Sequence, residues 1–273
     1  MDKEGIVKIN GKTFVVTGGG NGIGRQVVLE LLRRGALVAA LDLRTDGLEG
    51  TRALARGDRL ATLVVDVSDR EATAASLDQV VGELGPVDGL VNVAGIIQPF
   101  VRIGDLDWDT IDRVVDVNFY GTLHMIKAYL PHLLDRPAGH IANVSSMGGF
   151  LPVPGQSIYG ATKAAVKLMS EGLYAELRDT NVGVSVIMPG GVSTEITANS
   201  GVEVPVAAGS AENSRLPVTT PEEAARIICD GIAEDKLHIY VGKDSVAMNV
   251  ASRLAPKQAT HLIQRQMKAL LSS

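Results

Sequence analysis

Seven short runs of nearly unbroken apolar residues recur along this chain, separated by longer stretches with helical periodicity. The runs are KTFVVT at 12–17, ALVAALD at 36–42, RLATLVVD at 59–66, VDGLVNVA at 87–94, HIANVSS at 140–146, VGVSVIMP at 182–189 and LHIYVG at 237–242. A strand with one wet face alternates apolar and polar residues, whereas continuous apolarity marks strands covered on both faces. The helical patterns fall at 23–34, 69–84, 108–134, 157–179 and 221–234. Strand, helix, strand repeated in this way predicts a parallel sheet with helices on both faces, since parallel neighbours need a long crossover. The expected class is α/β, with seven strands in a single domain over 1–273 and no linker or low-complexity segment.

The bulk numbers narrow the function. With 45% apolar and 21% charged residues the chain is an ordinary globular sequence, and a net charge of −5 gives no basic field to recruit nucleic acid. Cys229 is the sole cysteine, so no internal disulfide and no cysteine-rich metal site is expected. MDKEGIVKING at the start has no apolar stretch of signal-peptide length, and no run is long enough for a membrane span. A cytoplasmic protein is the expectation, which makes the NVS sequon at 143–145 a chance match.

Between the first strand and its helix lies VVTGGGNGIGRQVV, with Gly18, Gly22 and Gly24 at the turn. Missing Cβ atoms let the backbone turn tightly and approach a ligand, and a helix N-terminus offers N–H groups to a pyrophosphate. The second strand ends in Asp42, 18 residues past Gly24, where a carboxylate can accept hydrogen bonds from ribose hydroxyls. Together these predict a dinucleotide site. A carboxylate there would repel a 2′-phosphate, Asn21 adds no compensating cation, and Arg44 is expected to point to solvent. NAD is therefore expected, with NADP as the alternative.

Tyr159 and Lys163 stand four residues apart and share one helix face. A free phenol titrates near pH 10, so its phenolate costs about 4 kcal/mol at neutral pH, and a neighbouring cation can offset much of that. Thirteen residues upstream, Ser145 and Ser146 end a strand, at the edge where parallel sheets place ligands. Trp108, Ile111, Val115, Asn118 and Thr122 follow a 3-4-3-4 spacing that predicts one buried stripe. Its amide at Asn118 must find partners, either local backbone or a water or catalytic group. Asp109, Asp112 and Asp116 fall on another face, a solvated acidic edge.

In these residues the chain resembles the short-chain dehydrogenase/reductases, from about Lys12 to Gly242. TGGGNGIG (17–24) matches the family's cofactor loop, DV (66–67) its adenine contact, and NVAG (92–95) its NNAG element with Val93 in place of an asparagine. PGGVST (189–194) matches the segment beside the nicotinamide. The resemblance implies a Rossmann-like doubly wound sheet and an Asn118, Ser146, Tyr159, Lys163 catalytic tetrad. Tyr159 would exchange the proton, Lys163 would lower its pKa and hold the nicotinamide ribose, Ser146 would orient the substrate, and Asn118 would hold a water. It implies cofactor contacts from Gly18, Asn21, Gly22, Ile23, Gly24, Asp42, Leu43, Asp66, Val67, Asn92, Ala94, Gly95, Tyr159, Lys163, Pro189, Gly190, Val192 and Thr194. A homodimer or homotetramer follows from the family as well.

The family places specificity after the sixth strand, where 195–217 is long and mildly apolar and is expected to form a lid. MGGFLPVPGQ at 147–156 would line the opposite wall through Met147, Phe150, Leu151 and Gln156, suiting an apolar secondary alcohol or ketone of steroid, medium-chain or ketoacyl type. A nucleotide-sensing scaffold on the same fold is the competing reading. From Ser245 to Ser273 the tail has no acidic residue, and Leu262, Ile263, Met267, Leu270 and Leu271 form an apolar stripe. Such a helix covers its own protein or a neighbouring subunit more often than it lies on an anionic membrane.

Overall fold

The computed structural model describes residues 8–193, 196–202 and 218–267. Seven parallel strands form one sheet: β1 (Thr13–Thr17), β2 (Leu37–Asp42), β3 (Leu60–Val64), β4 (Gly89–Asn92), β5 (Gly139–Val144), β6 (Val182–Pro189) and β7 (His238–Val241). Their order is β3-β2-β1-β4-β5-β6-β7. The chain winds outward from β1 in one direction, then returns to pair β4 with β1 and winds the other way. That reversal opens a crevice at the C-terminal ends of β1 and β4, where open α/β sheets bind ligands.

Each face of the sheet has its own core. On one side α1 (Gly22–Arg33) and α8 (Pro221–Ala233) bury Val28, Leu31, Ile228 and Ile232 against Phe14, Val16, Val38 and Ile187. On the other, α3 (Arg70–Leu84), α5 (Gly121–Leu134) and α6 (Ser157–Glu176) bury Val80, Met125, Tyr129 and Leu173 against Val15, Leu41, Ile141 and Val184. Alternate residues of one strand thus feed opposite cores, and this explains why the strands read as unbroken apolar runs. Local chemistry starts the helices. The Asp69 carboxylate accepts the Glu71 and Ala72 N–H groups, and Thr220 accepts that of Glu223 just before Pro221.

A helix absent from the periodicity, α2 (Thr45–Leu54), follows β2. Gly47 and Gly50 weaken its helical signal, but Thr51 is fully buried and bonds the glycine loop. The predicted helix 108–134 is one rod in three parts: α4 (Trp108–Val115), a π turn (Asp116–Tyr120) and α5. The π turn breaks the 3.6 period, so the predicted stripe splits. Asn118 and Thr122 are buried, whereas Trp108 is 75% exposed and begins no core stripe. Asp109, Asp112 and Asp116 are exposed, on the wet face.

The remaining helices are α7 (Ile196–Asn199), α9 (Lys243–Leu254) and α10 (Pro256–Gln266). In α10 the expected apolar stripe turns inward only in part: Ile263 is buried with Ala259 against Leu151 and Met267 packs beside them, whereas Leu262 is 43% exposed. That part of the tail covers its own protein, while Leu270 and Leu271 lie outside the described residues. Among the described residues no helix is long and apolar enough to cross a membrane.

At the opposite edge of the sheet from the crevice, His140 of β5 is 2% exposed. Its Nε2 lies 2.9 Å from Ser185 Oγ, and that hydroxyl donates to Lys236 O at 2.6 Å. Having spent its proton, the serine can only accept, so His140 is protonated at Nε2 and turns Nδ1 toward Asp235 Oδ1 at 3.7 Å. Burial pushes the imidazole down to about 4, outweighing the upward pull of Asp235. An unfolded histidine takes a proton below about pH 6.5, which this one refuses, so acid uptake favours unfolding between those values. Urea melts from pH 7.5 to 4.5 should show stability falling, with up to about 3 kcal/mol traced to this residue. His140→Gln should flatten that slope, and an equal slope in both proteins would exclude His140 as its source.

Candidate active site

The glycine loop is built for close approach. Gly18 adopts φ +66, and a Cβ on it would sit 3.0 Å from Ala94 of the neighbouring strand end. A Cβ on Gly24 would meet Gly18 O at 2.0 Å, so only glycine lets α1 start so near β1. The Asn21 carboxamide caps α1 through Gly22 N–H at 2.7 Å. From α2, Thr51 Oγ1 donates to Gly19 O at 2.8 Å, and Arg25 donates to Gly20 O and to Gly47 O. Thr17 Oγ1 accepts the Val93 and Ala94 N–H groups, tying β1 to the strand across the crevice.

A cavity of about 370 Å³ runs from this loop to Tyr159. Gly18, Asn21, Gly22, Ile23 and Gly24 form its floor, Asp42 and Leu43 one end, and Asp66, Val67, Ala94 and Gly95 its side. Pro189, Gly190 and Val192 close the far end beside Tyr159 and Lys163. Asp42 Oδ2 accepts Gly20 N–H at 2.9 Å, and Oδ1 accepts Arg44 N–H at 3.0 Å, so the carboxylate is fixed at the cavity end. Arg44 does not simply point to solvent. Its guanidinium pairs with Asp46 at 2.6 Å while also bordering the cavity.

Asn92 falls elsewhere. Asn92 is buried beneath the cavity with its Nδ2 donating to Asn143 Oδ1 at 2.8 Å, which joins β4 to β5 and does not line the site. Thr194 lies outside the described residues, as do Glu195 and 203–217 of the expected lid. The described part of that segment lies over the cavity. Ile196 and Asn199 line it, and Asn199 Oδ1 accepts from Asn21 Nδ2 at 3.1 Å and from Arg44 Nη1 at 3.5 Å.

At the far end Ser146, Tyr159 and Lys163 meet. Ser146 and Tyr159 both line this end of the cavity, the serine hydroxyl pulling the phenol pKa down, and Ser146 Oγ accepts Gly148 N–H at 3.0 Å. Lys163 Nζ donates to Val144 O at 3.0 Å and lies 5.9 Å from the Tyr159 ring centroid. Ser145 contributes differently: its Oγ donates to Lys163 O at 2.7 Å, pinning α6 to the end of β5. Asn118 is fully buried and pairs with one peptide, its Oδ1 accepting Ile96 N–H and its Nδ2 donating to Ile96 O, each at 2.9 Å. Nδ2 also donates to Thr162 Oγ1 at 3.1 Å. Backbone and a neighbouring hydroxyl therefore satisfy the amide.

The charges respond to burial first. Desolvation pushes the Tyr159 phenol up, with the Ser146 hydrogen bond pulling the other way. Desolvation pushes the Lys163 ammonium down to about 8.

Two expected wall residues are placed differently. Leu151 is 1% exposed within the α9–α10 cluster, and Gln156 is 4% exposed with Nε2 donating to Gln98 O at 2.7 Å. Both are covered by packing, and neither lines this cavity. Met147 and Phe150 are half-buried against the same cluster. Ile96 and Arg113 line the cavity without any expectation from sequence, because nothing local ties them to the glycine loop.

A doubly wound sheet with its cavity at the strand reversal, and a tyrosine, serine and lysine at one end, defines a dinucleotide-fold oxidoreductase. The chain belongs to the short chain dehydrogenase family, whose sequence profile matches residues 12–204. It is 36% identical over 264 residues to SadH of Mycobacterium tuberculosis, covering 93% of this chain and 94% of that one. Among solved structures it resembles a short chain dehydrogenase/reductase from Burkholderia phymatum in complex with NAD, with TM-score 0.80 and 25% identity over 94% of this chain and 96% of that one. It also resembles the closed form of serine dehydrogenase complexed with NADP+, with TM-score 0.74 and 28% identity over 83% of this chain and 93% of that one.

Proposed function

We propose that this protein oxidises apolar secondary alcohols, or reduces the matching ketones, with a nicotinamide dinucleotide as partner. The reading is carried by Tyr159, which with Ser146 and Lys163 lines the end of the cavity that starts at the glycine loop. The residues present fit such a cofactor. Glycines that tolerate no Cβ leave backbone N–H groups for a pyrophosphate, and Asp42 is fixed where a ribose would lie. Pro189, Gly190 and Val192 would flank the nicotinamide. When bound, that group supplies the hydride acceptor or donor. Tyr159 gives or takes the proton at the substrate oxygen, Ser146 orients that oxygen, and Lys163 steadies the negative charge of the phenolate from within the same buried cluster. The nicotinamide-dependent neighbours and the family membership support this reading.

Asp42 favours NAD. A 2′-phosphate would place about two negative charges against a carboxylate, and Arg44 already answers to Asp46. A panel of apolar secondary alcohols and ketones, followed by nicotinamide absorbance with each dinucleotide, should show turnover with NAD at least about tenfold more efficient. Asp42→Ala should narrow that ratio mainly by losing NAD. Dinucleotide binding with no turnover across the panel would favour a sensor instead.

A further inference from the structure

Three consecutive residues after β4 each bond a different part of the site. Ile96 exchanges two hydrogen bonds with Asn118. Ile97 donates its N–H to Ser200 Oγ at 3.0 Å, on the segment lying over the cavity. Gln98 reaches the start of α6. It is fully buried, and both ends of its carboxamide are engaged. Nε2 donates to Gly155 O at 3.0 Å, while Oε1 accepts Ile158 N–H at 2.9 Å and Tyr159 N–H at 3.0 Å.

The first N–H groups of a helix have no partner within it and normally find one in the residue just before. Here Gln156 occupies that place and gives no side-chain cap. Its own amide is turned away to donate to Gln98 O. The cap therefore comes from about sixty residues earlier in the chain, and one of the two N–H groups it takes belongs to Tyr159. The phenol hangs from the same residue whose backbone Gln98 holds.

We propose that Gln98 is a positioning residue for Tyr159, its buried carboxamide capping α6 from a distance and thereby setting the phenol against Ser146. The proposal rests on the oxidoreductase reading for the phenol's role. Without the Oε1 acceptor, the first turn of α6 must move to find other partners, and Tyr159 moves with it. A misplacement on the order of 1 Å at a reacting group can lower turnover by about a hundredfold.

The test uses the full chain, carbon-13 labelled at tyrosine Cζ, with the Tyr159 resonance assigned by its loss in Tyr159→Phe. Ser146→Ala calibrates the resonance position without the serine hydroxyl beside the phenol. In Gln98→Met the Tyr159 resonance should move toward that position, and turnover should fall roughly 10- to 100-fold with dinucleotide Kd changed less than about twofold. Gln98→Glu keeps an acceptor oxygen and should recover turnover to within about tenfold of native. A folded Gln98→Met with native resonance, native turnover and only a lower Tm would overturn the proposal. Should that variant not fold, Gln98→Asn, which shortens the cap by one methylene, decides by the same resonance. If the native protein turns over no alcohol or ketone, the oxidoreductase reading fails, while the resonance still judges Gln98.

Discussion

Tyr159→Phe should leave a folded protein that binds dinucleotide and turns over substrate about 100- to 10,000-fold more slowly. The substitution removes one oxygen and keeps the ring, so the packing of α6 against β5 and β6 is retained. None of the glycine-loop groups, nor Asp42, touches that oxygen, and Kd for the dinucleotide should stay within about twofold of native. What disappears is the phenol hydroxyl at the end of the cavity that Ser146 and Lys163 also line. Single-turnover kinetics with the best alcohol of the panel would separate chemistry from binding. Native turnover in the phenylalanine variant would remove Tyr159 from the reaction.

The strands and the Tyr159–Lys163 pair were legible for the same reason: each depends on residues close in sequence. Unbroken apolar runs such as ALVAALD reflect a sheet covered on both faces, and four-residue spacing places two side chains on one helix face. The glycine loop was legible because Gly18 and Gly24 stand where no other residue fits. Other features depend on contacts across the chain. Gly47 and Gly50 hid α2, whose value lies in Thr51 holding the glycine loop. The π turn at Asp116–Tyr120 shifted the register of an otherwise regular helix and left Trp108 outside. Leu151 read as a pocket wall because nothing in 147–156 reveals that α10 will cover it. Gln98 is the sharpest case: three residues past a recognisable motif, it bonds a helix some sixty positions away.

Burial dominates the balance of charge at the site, raising the phenol and lowering the ammonium. Lys163 spends its strongest contact on Val144 O, not on the phenol.

That arrangement has a cost in stability, and Lys163→Met should reveal it. Lys163 is 3% exposed, and burial lowers its ammonium from 10.5 to about 8. Below pH 8 the lysine is charged in both states, but the folded state holds that charge at a penalty of about 3 kcal/mol, set by the size of the shift. Between pH 8 and 10.5 the unfolded chain binds a proton that the folded protein has released, so native stability rises with pH across that window. Above it the penalty is gone. Methionine fills a similar volume without charge and forfeits one hydrogen bond to Val144 O, worth about 1 kcal/mol. The variant should thus be more stable than native by about 2 kcal/mol at pH 7, and the gap should close near about pH 10 and reverse above it. Activity should move the other way, falling at least about 100-fold, because the phenolate loses its buried cation. Urea melts of both proteins at pH 7, 8, 9 and 10 measure the gap directly. A methionine variant less stable than native by the same amount at every pH would mean that the ammonium is well solvated, and the argument for a desolvated tuning cation would fall with it.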